Sequence, residues 1–75
     1  MMRIYPEAAM QIQLNGETTS LDGNPTIRDL VESLDLTRRR IAVEVNEEIV
    51  PRSQHSAKAL ADGDRVEIVH AIGGG

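Results

Sequence analysis

The chain has 75 residues, a formal net charge of −4 and no cysteine. This length allows one domain, whose core supplies no more than about 3–5 kcal/mol net without staples. The missing cysteines exclude disulfides, thiolate metal sites and a cysteine nucleophile, and the acidic balance argues against nucleic acid as the main partner.

Residues 1–9 read as an N-terminal extension, with Pro6 interrupting any strand there. They hold no apolar stretch of the kind a secretory signal needs, and no run in the chain nears the roughly 20 apolar residues that span a bilayer. Tyr5 is the only aromatic residue. The core must therefore be aliphatic, and stacking on exposed nucleobases is not available.

Met10-Gln11-Ile12-Gln13-Leu14 alternates apolar and polar residues, the pattern of a half-buried strand. Asn15-Gly16 is a strong hairpin signal, and the Thr-rich stretch from Glu17 to Leu21 returns as a second strand. Asp22-Gly23-Asn24-Pro25 reads as a loop. Thr26 with Asp29 three residues on resembles a capping box. Ile27, Leu30, Val31 and Leu34 then make one stripe of an amphipathic helix, expected to end near Asp35.

Residues 36–40 form a connection ending in Arg38-Arg39-Arg40, read as a solvated loop. Ile41, Val43 and Val45 share one face of a third strand. Asn46-Glu47-Glu48 is turn-like. Ile49-Val50 makes a very short strand stopped by Pro51, as suits a sheet edge. Residues 53–61 suggest a short helical turn anchored by Leu60. Asp62-Gly63-Asp64 is a tight turn, and Arg65-Val66-Glu67-Ile68-Val69-His70 is the last strand, with Val66 and Ile68 facing the core. By alternation Ala42, Glu44, Glu67 and Val69 point to the opposite face. His55 and His70 read as surface or boundary residues and not as metal ligands, since no further ligands converge at suitable spacing.

Ala71-Ile72-Gly73-Gly74-Gly75 ends the chain. Three glycines pack poorly, and alone they read as an ordinary disordered terminus. They also suit a tail threading a narrow channel in another protein, reaching about 16–18 Å when extended. One helix covering one face of a small sheet gives an α+β two-layer fold.

The opening Met10-Gln11-Ile12-Gln13-Leu14-Asn15-Gly16, the helix start Thr26-Ile27-Arg28-Asp29-Leu30, and Val45-Asn46-Glu47-Glu48-Ile49-Val50-Pro51-Arg52 carry a resemblance. So do the run Leu60-Ala61-Asp62-Gly63-Asp64-Arg65-Val66-Glu67-Ile68-Val69 and the closing Gly74-Gly75. In this order the segments resemble the ThiS family, the sulfur carrier proteins of thiamine biosynthesis, over residues 10–75. The chain departs from the family in lacking core aromatics and in carrying His55 where members often have an aromatic residue.

The resemblance implies a ubiquitin-like β-grasp fold over residues 10–70, with parallel pairing of the first and last strands and a flexible tail over residues 71–75. It implies a carrier, not an enzyme, with no catalytic residue, metal or bound cofactor of its own. An E1-like adenylyltransferase using ATP and Mg²⁺ would adenylate the Gly75 carboxylate. A sulfur donor protein would convert it to a thiocarboxylate, and thiazole synthase would take the sulfur. Gly73 and Gly74 would carry the terminus into the partner's active site, and Val69 and Ile72 would anchor docking. The expected location is cytoplasmic, with neither nucleic acid nor membrane as partner. Two alternatives stay open: the small subunit of molybdopterin synthase, and a ubiquitin-like binding module with an inert tail.

Overall fold

Both β-hairpins of this protein reverse at an asparagine. The computed structural model describes residues 10–71. Strands β1 (Met10–Leu14) and β2 (Glu17–Leu21) pair antiparallel with Leu14 opposite Glu17, leaving a two-residue loop. Asn15 (φ 50°) and Gly16 (φ 85°) both take positive φ, which the turn needs if its twist is to match that of the flanking strands. Strands β3 (Ile41–Val45) and β4 (Glu48–Val50) repeat the device around Asn46 (φ 52°) and Glu47 (φ 71°).

Glu47 is the costly member of this set. A residue with a Cβ pays about 1–2 kcal/mol in the left-handed region, and only Asn, Asp and Gly visit it readily. Its ion pair with Arg65 spans 3.8 Å between exposed side chains and offers little in return. Glu47→Gly should therefore stabilise the fold by about 0.5–1 kcal/mol, the rest being offset by the larger chain entropy of glycine when unfolded. A rise in the urea midpoint at unchanged slope is the expected reading.

Helix α1 (Ile27–Ser33) begins as its sequence requires. The Asp29 N–H donates to Thr26 Oγ1 at 3.2 Å, and the Thr26 N–H donates to Asp29 Oδ2 at 2.9 Å. The other first-turn donors also find partners. The Ile27 N–H reaches the Lys58 carbonyl and the Arg28 N–H the His55 carbonyl, each at 3.0 Å, while the Leu30 N–H bonds Thr26. At a helix start the Ile27 and Arg28 N–H groups have no intrahelical acceptor, whereas Leu30 makes the first regular helical bond. Satisfying them fastens the segment around His55 to α1.

The C-terminus of α1 differs from the sequence expectation. Regular helix stops at Ser33, and Leu34 becomes the cap, 40% exposed instead of completing the apolar stripe. Asp35 takes φ 59°, its N–H bonds the Glu32 carbonyl, and the Leu36 N–H bonds the Val31 carbonyl. This pair of bonds closes a Schellman motif, with aspartate where glycine is commoner. The reversal swings Leu36 back against the core in place of Leu34. The helical turn expected within residues 53–61 also starts earlier, as a 3₁₀ turn at Arg52–Gln54, although Leu60 is buried as expected.

With β5 (Arg65–His70) the sheet order is β2-β1-β5-β3-β4. β5 lies in the middle, parallel to β1 and antiparallel to β3. β4 is an edge, where Pro51 interrupts no ladder. Ile12, Val43, Val45, Val66 and Ile68 from the inner sheet face pack with Ile27, Leu30 and Val31 of α1 and with Leu60. This is the β-grasp arrangement, and among the described residues its core is aliphatic.

Candidate functional site

The strand that leads to the tail is held from both sides by the two hairpin asparagines. The Asn46 N–H donates to the Arg65 carbonyl at 2.8 Å, and Asn46 Oδ1 accepts from the Arg65 N–H at 3.0 Å. Asn46 Nδ2 also reaches Asp64 Oδ1 at 3.0 Å. On the other side the Asn15 N–H donates to the Val66 carbonyl at 2.9 Å. The Asn15 side chain then takes both peptide groups of Ile68, with Oδ1 accepting its N–H at 2.8 Å and Nδ2 donating to its carbonyl at 3.3 Å. An amide side chain carries both an acceptor and a donor, so it can imitate one residue of a neighbouring strand. The left-handed turn geometry that asparagine tolerates is also what aims it at β5.

The root of the tail is fixed as well. The Ala71 N–H donates to the Arg40 carbonyl at 2.9 Å, one step past the end of β5. Arg52 steadies the preceding loop by donating from one guanidinium nitrogen to the carbonyls of Thr37 (2.8 Å) and Arg39 (3.1 Å). The proposed site residues Ile72, Gly73, Gly74 and Gly75 lie outside the described residues.

Val69 lies on the sheet face turned away from α1. Register places Val69 opposite Ala42, and Glu67 opposite Glu44, while Glu44 is in turn opposite Ile49 of β4. Val69 is 50% exposed and Ile49 70% exposed. Ile49 was not singled out in the sequence, although Val50 facing inward would have placed it outward by alternation. Glu44 and Glu67 face each other directly across a ladder, a pairing that disfavours the fold. The face thus combines two exposed aliphatic side chains with concentrated negative charge close to the tail's root.

His55 is not the surface or boundary residue expected from the sequence. It is 6% exposed, the buried polar residue among the described ones, and Nε2 lies 3.0 Å from the Val50 carbonyl. A carbonyl oxygen only accepts, so Nε2 carries the proton. The ring fills an interior position beside α1, where it ties β4 to the helix side of the molecule. His70 is exposed. Among the described residues no three His, Asp or Glu side chains converge as a metal site would require, and no helix is long and apolar enough to cross a membrane.

The ThiS family model matches residues 12–75, which takes in all of the sheet but the first two residues of β1, together with α1 and Gly75. The chain belongs to the ThiS family. This ThiS-family chain is 38% identical over 65 residues to the sulfur carrier protein ThiS of Bacillus subtilis, covering 85% of this chain and 98% of that one. It resembles the crystal structure of the thiamine biosynthesis protein ThiS from Geobacter metallireducens with a TM-score of 0.77 at 30% identity, over 88% of this chain and 100% of that one. It is also 42% identical over 66 residues to a thiazole synthase of Paramagnetospirillum magneticum, covering 88% of this chain. It spans only about a fifth of the length of the curated thiazole synthases it matches. By family and fold it is a ThiS-family chain of the ubiquitin-like β-grasp class.

Proposed function

We propose that this ThiS-family chain carries sulfur for thiazole formation on the carboxylate of Gly75. The observation that carries the reading is a family match whose span, residues 12–75, includes both the β-grasp core and Gly75. Its similarity to part of proteins named thiazole synthase supports that enzyme as the sulfur acceptor.

The chemistry follows from the terminal group. An α-carboxyl with pKa roughly 3.3–3.7 is ionised at neutral pH, and delocalised charge makes its carbon a poor electrophile. Attack of one carboxylate oxygen on the α-phosphorus of ATP forms the acyl-adenylate and releases pyrophosphate. A donor protein delivering sulfur at the sulfide level then adds to the carbonyl carbon and expels AMP, leaving the thiocarboxylate. Triphosphate and Mg²⁺ must be held by the E1-like activating enzyme, because this chain has no phosphate-binding loop. The chain is therefore the acyl substrate and not a catalyst, and its place of work is the cytoplasm. Glycine at Gly73 and Gly74 leaves the approach to the reacting carbonyl open.

Docking uses the outer sheet face, with Val69 and Ile72 as its apolar anchor and Ile49 extending it. Glu44 and Glu67 call for cations opposite them on the partner. Val69→Asp should cost about 1 kcal/mol of stability, because aspartate is a poor strand residue and joins Glu44 and Glu67 on this face, and should leave the chain folded. It should weaken binding to both the activating enzyme and thiazole synthase by tenfold or more in titration calorimetry; unchanged affinity for both would remove Val69 from the interface.

The function is tested by intact mass. Incubation with the activating enzyme, ATP and a sulfur donor should exchange one terminal oxygen for sulfur. No change under conditions that convert a known carrier would leave a binding module with an inert tail. Copurification with thiazole synthase, and not with a molybdopterin synthase large subunit, separates the two carrier pathways.

A further inference from the structure

The peptide groups of β5 alternate between its two edges. The Asn46 N–H bonds the Arg65 carbonyl, and the Ala71 N–H bonds the Arg40 carbonyl. Arg65, Glu67, Val69 and Ala71 therefore bond toward β3. Val66, Ile68 and His70 turn their N–H and C=O groups to the opposite edge, as antiparallel pairing demands. On that edge the Val66 carbonyl takes the Asn15 N–H, and both groups of Ile68 are taken by the Asn15 side chain. β1 pairs with β5 only at Gln13↔Arg65 and Leu14↔Val66 before it turns away into the hairpin. His70 is the next position along. It faces Ile41 across the β3 side, it is exposed, and among the described residues no strand lies on its other edge.

We propose that this open half-edge is where thiazole synthase adds a strand: the N–H and C=O of His70 pair with an extended segment at the mouth of the synthase's tail channel. The proposal rests on the function proposed above, which makes thiazole synthase the protein that receives the tail. A chain that passes from solvent into a narrow passage must keep its peptide groups bonded, because a buried unpaired group costs about as much as a lost hydrogen bond. An exposed run of unpaired strand groups is a ready template for such pairing. Asn15 sets the register. By occupying Ile68 it leaves His70 as the first pair with no partner among the described residues, so an incoming strand cannot slide toward Val66. Affinity then comes from the backbone and is indifferent to the imidazole.

His70→Pro removes the N–H that faces the open edge, and proline is tolerated where no ladder bond is lost. The free variant should keep its urea midpoint while its affinity for thiazole synthase falls about tenfold, from one lost hydrogen bond and the partner acceptor left unpaired. His70→Ala keeps the N–H and must lose much less; equal losses would assign the role to the side chain and overturn the proposal. Hydrogen exchange on the unaltered chain gives a reading that does not depend on the variant folding. The His70 amide should exchange at least tenfold more slowly in the complex with thiazole synthase than in the free chain. An unchanged rate in a complex that forms would overturn the added strand while leaving the carrier function standing. Failure to form any complex with thiazole synthase would overturn both.

Discussion

A chain ending at Gly73 is expected to accept no sulfur and to support no thiazole formation in a strain without another carrier. The reacting carbon would still be a glycine carboxyl, so the effect is one of reach. Each residue spans at most about 3.3–3.6 Å, so removing Gly74 and Gly75 withdraws the carboxylate by about 7 Å. Reacting atoms must come within about 3–3.5 Å, and a misplacement of about 1 Å already costs on the order of 100-fold. Thiocarboxylate measured by intact mass should fall to background, as should growth without added thiamine. A chain extended beyond Gly75 and not trimmed should fail equally, because an amide replaces the carboxylate that attacks ATP. Thiazole formation by either variant would place the working group elsewhere.

Asn15→Ala is expected to cost about 2–4 kcal/mol, against a total stability of only about 3–5 kcal/mol for a core of this size. Two hydrogen bonds to Ile68 disappear, each worth about 0.5–1.5 kcal/mol, and the groups they satisfied on β5 are left unpaired. Alanine must in addition hold φ near 50°, which asparagine tolerates and alanine does not. The urea midpoint should fall by half or more, and amide exchange at Ile68 should rise ahead of global unfolding. Asn15→Gly separates the two contributions. It relieves the backbone strain but not the lost bonds, so it should recover only part of the stability.

The local elements were legible because their signals lie within four residues of one another. Thr26 and Asp29 announce a helix start wherever they stand, and Asn15-Gly16 announces a reversal. Alternation was enough to send Val66 and Ile68 inward and Val69 outward. The parallel pairing of β1 with β5 came from the family resemblance; no periodicity distinguishes it from an antiparallel one. The C-terminus of α1 was not legible from the stripe, because the apolar pattern runs through Leu34 while regular helix ends at Ser33 and the chain reverses at Asp35. The burial of His55 was not legible, because a polar residue between Gln54 and Ser56 carries no sign that the Val50 carbonyl waits for it in the interior. Ile49 was overlooked because three residues are too few for alternation to show a face.

Composition and order alone therefore settled the aliphatic core, the two reversals, the capped helix and the membership that names Gly75 as the candidate working end. Those properties depend on side-chain type and near-neighbour spacing, and the chain carries both before it folds. Folding alone decided that Asn15 would grip Ile68 across 53 residues of sequence, that two glutamates would face each other on the outer sheet, and that among the described residues no strand would lie on the outer edge of His70. Each of these depends on which strand lies beside which and in what register, and register is set by the joint packing of the whole core, not by any segment of it.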